Sequence, residues 1–176
     1  VYTIADDKMS GVNLRDEKWA DDEVARVFQR STTILETQVS DYRINPRSGQ
    51  PAAYIAVPVL NNRRLIGAVV FKIDNKALLK IVNDYSGLGE TGQTVVAMQL
   101  NDEAVYLTPS RFDPNSAFKR KVKIGSGNDK ALESAVKGER GAGTYRDADG
   151  KEVFAVWRYL PALRWGLVVK IETKEA

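Results

Sequence analysis

The sequence predicts an α+β fold built from two tandem copies of one unit, each a five-stranded antiparallel sheet with flanking helices. Short β-branched and aromatic runs lie between Gly, Pro and Asn turns, amphipathic helical stretches interrupt them, and the whole pattern returns after about one hundred residues. The predicted domains are residues 1–85 and 86–176.

Each copy opens on a hairpin. Val1 to Ala5, a turn at Asp6 to Gly11 and Val12-Asn13-Leu14 form the first; Thr94 to Leu100, Asn101-Asp102-Glu103 and Ala104 to Leu107 form the second. A helix follows in each. Residues 21–33 place Val24, Val27 and Phe28 on one face. Residues 128–137 carry Asp129 as a cap, Ala131, Leu132, Ala135 and Val136 as the apolar stripe, and Gly138 as the stop.

Three strands close each copy. Thr37 to Asn45 and Gly143 to Arg146 both contain a Tyr-Arg pair and run into Gly-bearing turns, at Pro46 to Gly49 and at Asp147 to Gly150. Then come the strongest hairpins. Ala52 to Val59 turns at Asn61-Asn62-Arg63-Arg64 into Leu65-Ile66-Gly67-Ala68-Val69-Val70-Phe71-Lys72-Ile73-Asp74. Val153 to Tyr159 turns at Pro161 to Arg164 into Trp165-Gly166-Leu167-Val168-Val169-Lys170-Ile171-Glu172. Both end in Gly, Val-Val, Lys-Ile and a carboxylate. The linker starts as a short amphipathic helix with Ala77, Leu78, Ile81 and Val82, and ends in Gly87-Leu88-Gly89-Glu90-Thr91-Gly92. That turn has dinucleotide-loop spacing, but a phosphate loop needs a strand before it and a helix after it. Here a β-rich segment follows, so it reads as a connector.

Composition excludes most catalytic chemistry. The 176 residues include no His and no Cys, which removes the Ser-His-Asp triad, thiol nucleophiles, Cys/His zinc sites and disulfides. The 26 Lys and Arg against 23 Asp and Glu are mixed along the chain, which gives no nucleic-acid tail. No run reaches the roughly 20 apolar residues of a bilayer-spanning helix. The carboxylate pairs Asp21/Asp22 and Asp147/Asp149 lie in cap and turn contexts with no partner base or nucleophile. Trp157, Tyr159 and Trp165 read as an aromatic cluster in the core.

The Gly87 to Gly92 turn and the phrase from Ala155 to Ile171, set in two tandem PAS-like units, resemble the double Cache family of extracytoplasmic sensor domains. The resemblance implies a periplasmic domain of a bacterial inner-membrane receptor, with a membrane-distal first unit and a membrane-proximal second. It implies a homodimeric receptor anchored by flanking helices absent from this chain, and no catalysis or cofactor within the chain. A histidine kinase is the first-ranked output, with a diguanylate cyclase or chemoreceptor as alternatives. Family members begin with a long helix that this chain lacks, so the first unit is expected to be incomplete at its N-terminus.

The resemblance also implies a small ligand, an organic acid or an amino acid, in the distal unit. Of the residues that bind amino acids in the family, the Asp ending the last strand matches Asp74. The Arg-x-Trp-Tyr phrase of the helix region has no counterpart, and Ala25-Arg26-Val27-Phe28 stands there. From the residues themselves, Arg43 suits a carboxylate, Asp74 an ammonium group or hydroxyl, and Tyr54 offers a ring and a phenol. Phe28 can close the pocket from the helix. On an uninterrupted strand Asp41, Arg43 and Asn45 share one face, opposite Tyr42 and Ile44. Each has a plain alternative: Asp74 as the cap of the helix at Asn75, Arg43 as a surface residue, Tyr54 as core. A ligand-free dimerising spacer, its pocket filled by Phe28 and Tyr54, is the competing reading.

Overall fold

A computed structural model describes residues 9–73 and 75–176. The chain divides into two compact units, Val1–Asn75 and Lys76–Ala176, each with its own buried cluster. The fold is α+β throughout, with antiparallel sheets in both units.

Unit 1 is organised by one helix on one long hairpin. Helix α1 (Glu23–Ile34) starts where the Asp22 side chain accepts from the backbone N–H of Val24, and stops at Leu35 in the left-handed region. Its Val24, Ala25 and Val27 pack with Leu14, Trp19, Ala52, Tyr54 and Ala56, and Phe28 lies against that cluster. Strands β1 (Gln38–Val39) and β2 (Arg43–Ile44) both pair with β3 (Pro51–Asn61), and β3 pairs with β4 (Arg64–Ile73).

Within the described residues the layout differs in detail from the expected strands. Four strands form among the described residues: Val12-Asn13-Leu14 is a turn region, and Val1 to Ala5 lies outside the described residues. The expected strand from Thr37 to Asn45 is broken in two. Val39 pairs with Ile55 and Arg43 with Ala52, so three residues on one side oppose two on the other, which is a bulge. Ser40 holds it. Its backbone N–H donates to the Tyr54 carbonyl at 2.8 Å, and its hydroxyl accepts from the Tyr54 N–H at 2.9 Å. The extra residue spoils the simple alternation: Tyr42 is 3% exposed while Ile44, expected on the same face, is 49% exposed.

Unit 2 is a larger sheet crossed by one short helix. Helix α2 (Asn75–Val82) belongs to it but for its first residue. Strands β5 (Gln93–Leu100), β6 (Glu103–Tyr106), β7 (Lys121–Lys123), β8 (Gly141–Arg146), β9 (Glu152–Leu160) and β10 (Trp165–Glu172) give the order β7-β6-β5-β10-β9-β8. The sheet has one strand more than expected, β7, a three-residue segment with Val122 buried between exposed Lys121 and Lys123. Helix α3 (Lys130–Val136) is capped by Asp129, which accepts from the Leu132 N–H at 3.1 Å. Its Ala131, Leu132, Ala135 and Val136 pack on Val95, Ala97, Ala155 and Val168.

The two long hairpins match in register. Gly67 pairs with Val59 and Gly166 with Tyr159. The first has one residue more between those partners, taken up by a bulge at Val59/Leu60. Its two-residue turn, Asn62-Arg63, has positive φ at both positions, the geometry that suits the right-handed twist of a hairpin.

Candidate functional site

The start of α1 and the turn between β2 and β3 bring polar groups together in unit 1. Around a cavity of about 250 Å³ stand Asp21, Asp22, Glu23 and Arg26 from the helix start, with Arg43, Asn45 and Tyr54 from the strands. A helix N-terminus favours negative charge, and three consecutive carboxylates stand there. Asp22 is buried at 3% exposure, caps the helix, and lies 3.5 Å from the Nε of Arg47. The Asn45 amide donates to Asp22 at 3.4 Å and to the Tyr54 hydroxyl at 3.1 Å. Arg47 in turn stacks over Trp19 at 3.6 Å, which fixes the turn against the core.

Charge is matched on the cavity's open side. Glu23 Oε1 lies 3.1 Å from an Arg26 nitrogen and 3.6 Å from Arg43 Nε, and Asp41 takes the other end of Arg43 at 3.3 Å. Arg26 also reaches Asp21 at 3.1 Å. The Arg26 and Arg43 side chains are a little over two-fifths exposed, and the Glu23 they share is 15% exposed. The pairs to Asp21 and Asp41 are exposed, and such pairs exchange readily with water and solutes, since each contributes only about 0–1 kcal/mol.

Of the expected site residues, Arg43, Asn45 and Tyr54 line this one cavity. Asp41 is outside the lining and acts on it through Arg43. Phe28 packs against the core cluster and does not line the cavity. Asp74 lies outside the described residues. Sequence reading missed Glu23 and Arg26 as lining residues. Their i, i+3 spacing at an acidic helix start was the available signal.

A second cavity, also about 250 Å³, lies in unit 2 and was not anticipated. Behind it sits a buried ion cluster. Lys170, 3% exposed, donates to Asp147 at 2.8 Å and lies 3.5 Å from Asp129. Burial alone pushes the Asp147 carboxyl up. The Lys170 hydrogen bond and charge, with the N–H groups of Lys151 and Asp149, outweigh that and hold it below its ordinary value. Burial, and then the Asp129 charge, raise the phenols of Tyr106 and Tyr145. Among the described residues no cluster of Asp and Glu is placed to hold a metal ion, and no helix is long and apolar enough to cross a membrane.

The Gly-rich turn binds an anion of the chain itself. The N–H groups of Glu90 and Thr91 donate to the Glu175 carboxylate at 2.5 and 2.8 Å, and the Thr91 hydroxyl donates to it too. These bonds hold the Glu175 carboxyl below its ordinary value.

No family sequence model matches the chain, and no curated protein matches it significantly by sequence. Solved structures match it by shape. The ligand-binding domain of the Pseudomonas aeruginosa PAO1 chemoreceptor PctC, in complex with GABA, superposes with a TM-score of 0.57 at 15% identity, over 93% of this chain and 67% of that one. The extracellular domain of the putative histidine kinase mmHK1S-Z2 gives 0.56 at 14% identity, over 85% of this chain and 55% of that one. The ligand-binding domain of Mlp24 with asparagine gives 0.56 at 15% identity, over 84% and 55%. The chain thus spans a little over half the length of two of these three structures. Its fold is that of the double Cache sensor domains it resembles in sequence.

Proposed function

We propose that the chain is the extracytoplasmic ligand-sensing domain of a bacterial transmembrane receptor, and that unit 1 takes a small amino acid or organic acid. One observation carries the choice of site: Arg26 and Arg43 stand beside Asp22 and Glu23 around a single cavity closed on one side by Tyr54. A zwitterion answers both signs at once, its carboxylate taking a guanidinium from Glu23 and its ammonium facing the carboxylates of the helix start. The fold supports the reading, because structures sharing it hold asparagine and GABA. Arg43 already bridges Glu23 and Asp41, so a zwitterion suits the site better than a simple anion.

Ligand in unit 1 would shift the domain between two states, and the shift would pass through unit 2 to the membrane. A nearly complete switch requires about 5.5 kcal/mol of preference for one state. A histidine kinase is the first-ranked output, ahead of a diguanylate cyclase or chemoreceptor. The coding sequence beyond Ala176 decides this: a membrane segment followed by a kinase core is expected, and a methyl-accepting or cyclase domain would install one of the alternatives.

The ligand reading is tested by thermal unfolding and calorimetry of the whole chain against amino acids and small carboxylates. At a hundredfold excess over Kd a ligand adds about 2.7 kcal/mol of stability. The binder should lose its effect in Arg43→Ala. A panel without any shift, in a chain with unchanged spectra, would favour the ligand-free spacer.

A further inference from the structure

We infer that the cavity of unit 2 is a second ligand site, for a small organic molecule carrying a primary ammonium group, and that the Lys151 side chain occupies its cation seat in the unliganded state. Four carboxylates, Asp113, Asp147, Asp149 and Glu172, surround the cavity together with three cations, Arg120, Lys151 and Lys170. Two of the cations are committed to structure. Lys170 is buried between Asp147 and Asp129, and Arg120 lies 2.7 Å from Asp149 and 5.3 Å from the centre of the Tyr106 ring.

Lys151 is different. It stands at the mouth with its side chain 48% exposed, its Nζ 2.5 Å from Glu172 and 5.1 Å from the centre of the Phe112 ring. A carboxylate on one side and an aromatic ring on the other make an ammonium seat. Phe112 is itself 54% exposed. The same carboxylate holds the Lys151 ammonium above its ordinary range. An exposed pair on a long flexible stem is weakly held, so an external ammonium displaces it once its concentration offsets the advantage of the tether. When Lys151 swings out, four carboxylates face two committed cations, and the cavity favours an incoming positive charge. Among the described residues no Asp and Glu group converges as metal ligands, and the ring beside the seat suits an organic ammonium.

The seat is wired to the end of unit 2. The Glu172 N–H donates to the Thr91 hydroxyl at 3.1 Å, and Thr91 holds Glu175. A ligand on Glu172 therefore acts one residue from the clasp formed by the Gly-rich turn.

The test uses n-butylamine as probe and n-butyrate as its opposite-charge control, on the whole chain, by calorimetry and by amide chemical shifts. Butylamine should bind and butyrate should not, with shifts at Thr91, Gln93 and Glu172. Lys151→Ala should tighten butylamine about tenfold if the native seat stands empty a tenth of the time. Glu172→Gln should abolish binding, and Phe112→Ala should weaken it. Amide shifts confined to unit 2 separate this site from the unit 1 reading. Unchanged or weaker affinity in a folded Lys151→Ala, or shifts confined to unit 1, would overturn the proposal.

Discussion

The two units repeat one hairpin but set different demands on it. Gly166 lies under α3, where an added Cβ would stand 2.8 Å from the Ala135 side chain and from the backbone N of Val136. Gly67 occupies the matching place in unit 1, and an added Cβ there meets nothing within 4 Å. The polar groups differ in the same way. Unit 1 keeps Arg26 and Arg43 partly exposed around a cavity, with Asp22 buried beside them, whereas unit 2 buries Lys170, Asp129 and Asp147 together behind one. A duplicated sheet thus buries a lysine between two carboxylates in one copy and keeps the arginines of its cavity partly exposed in the other.

The sharpest way to break that contrast is Lys170→Met. It leaves Asp129 and Asp147 buried without their cation and should cost about 3–5 kcal/mol. Urea unfolding followed by hydrogen exchange should place the loss in unit 2; an equal loss in unit 1 would contradict the division. Gly166→Ala comes next, at about 1–3 kcal/mol, because helix and sheet must separate to admit the methyl. Asp22→Ala should cost unit 1 about 0.5–2 kcal/mol as a lost cap and loosen the Asn45 amide in nitrogen spectra. Gly67→Ala should be the smallest and opposite in sign, stabilising by about 0.5–1 kcal/mol since Ala suits a strand better than Gly. Equal effects at Gly67 and Gly166 would erase the distinction.

The buried cluster also predicts a pH dependence. The Asp147 carboxyl titrates below its unfolded value of 3.8. Its stabilisation is therefore complete above that pH and fades as pH falls through the lower folded value. Acid unfolding of unit 2 should show this slope near and below pH 4, and Asp147→Asn should flatten it.

What the sequence revealed follows from how local each cause is. The hairpins and the caps at Asp22 and Asp129 were legible because alternation, turn residues and capping act over a few neighbours. The bulge at Ser40 was not, since it arises from one hydroxyl meeting a backbone N–H fourteen residues away in sequence. Strand β7 was missed for another reason: Lys121–Lys123 alternates, but over three residues only, too short a run to stand out, and its pairing with β6 makes it a strand. At the candidate site, Arg43, Asn45 and Tyr54 could be singled out by chemistry. That Glu23 and Asp41 would both claim Arg43 required the fold.

One feature of unit 2 has a mechanical consequence. Its sheet begins just after Glu90 and Thr91 and its last strand leads to Glu175, and those three residues share a single carboxylate. Tension applied at the entry reaches the departing strand across a few hydrogen bonds, without traversing the sheet, so the unit behaves as a closed ring. Replacing that carboxylate would open the ring while leaving the core intact.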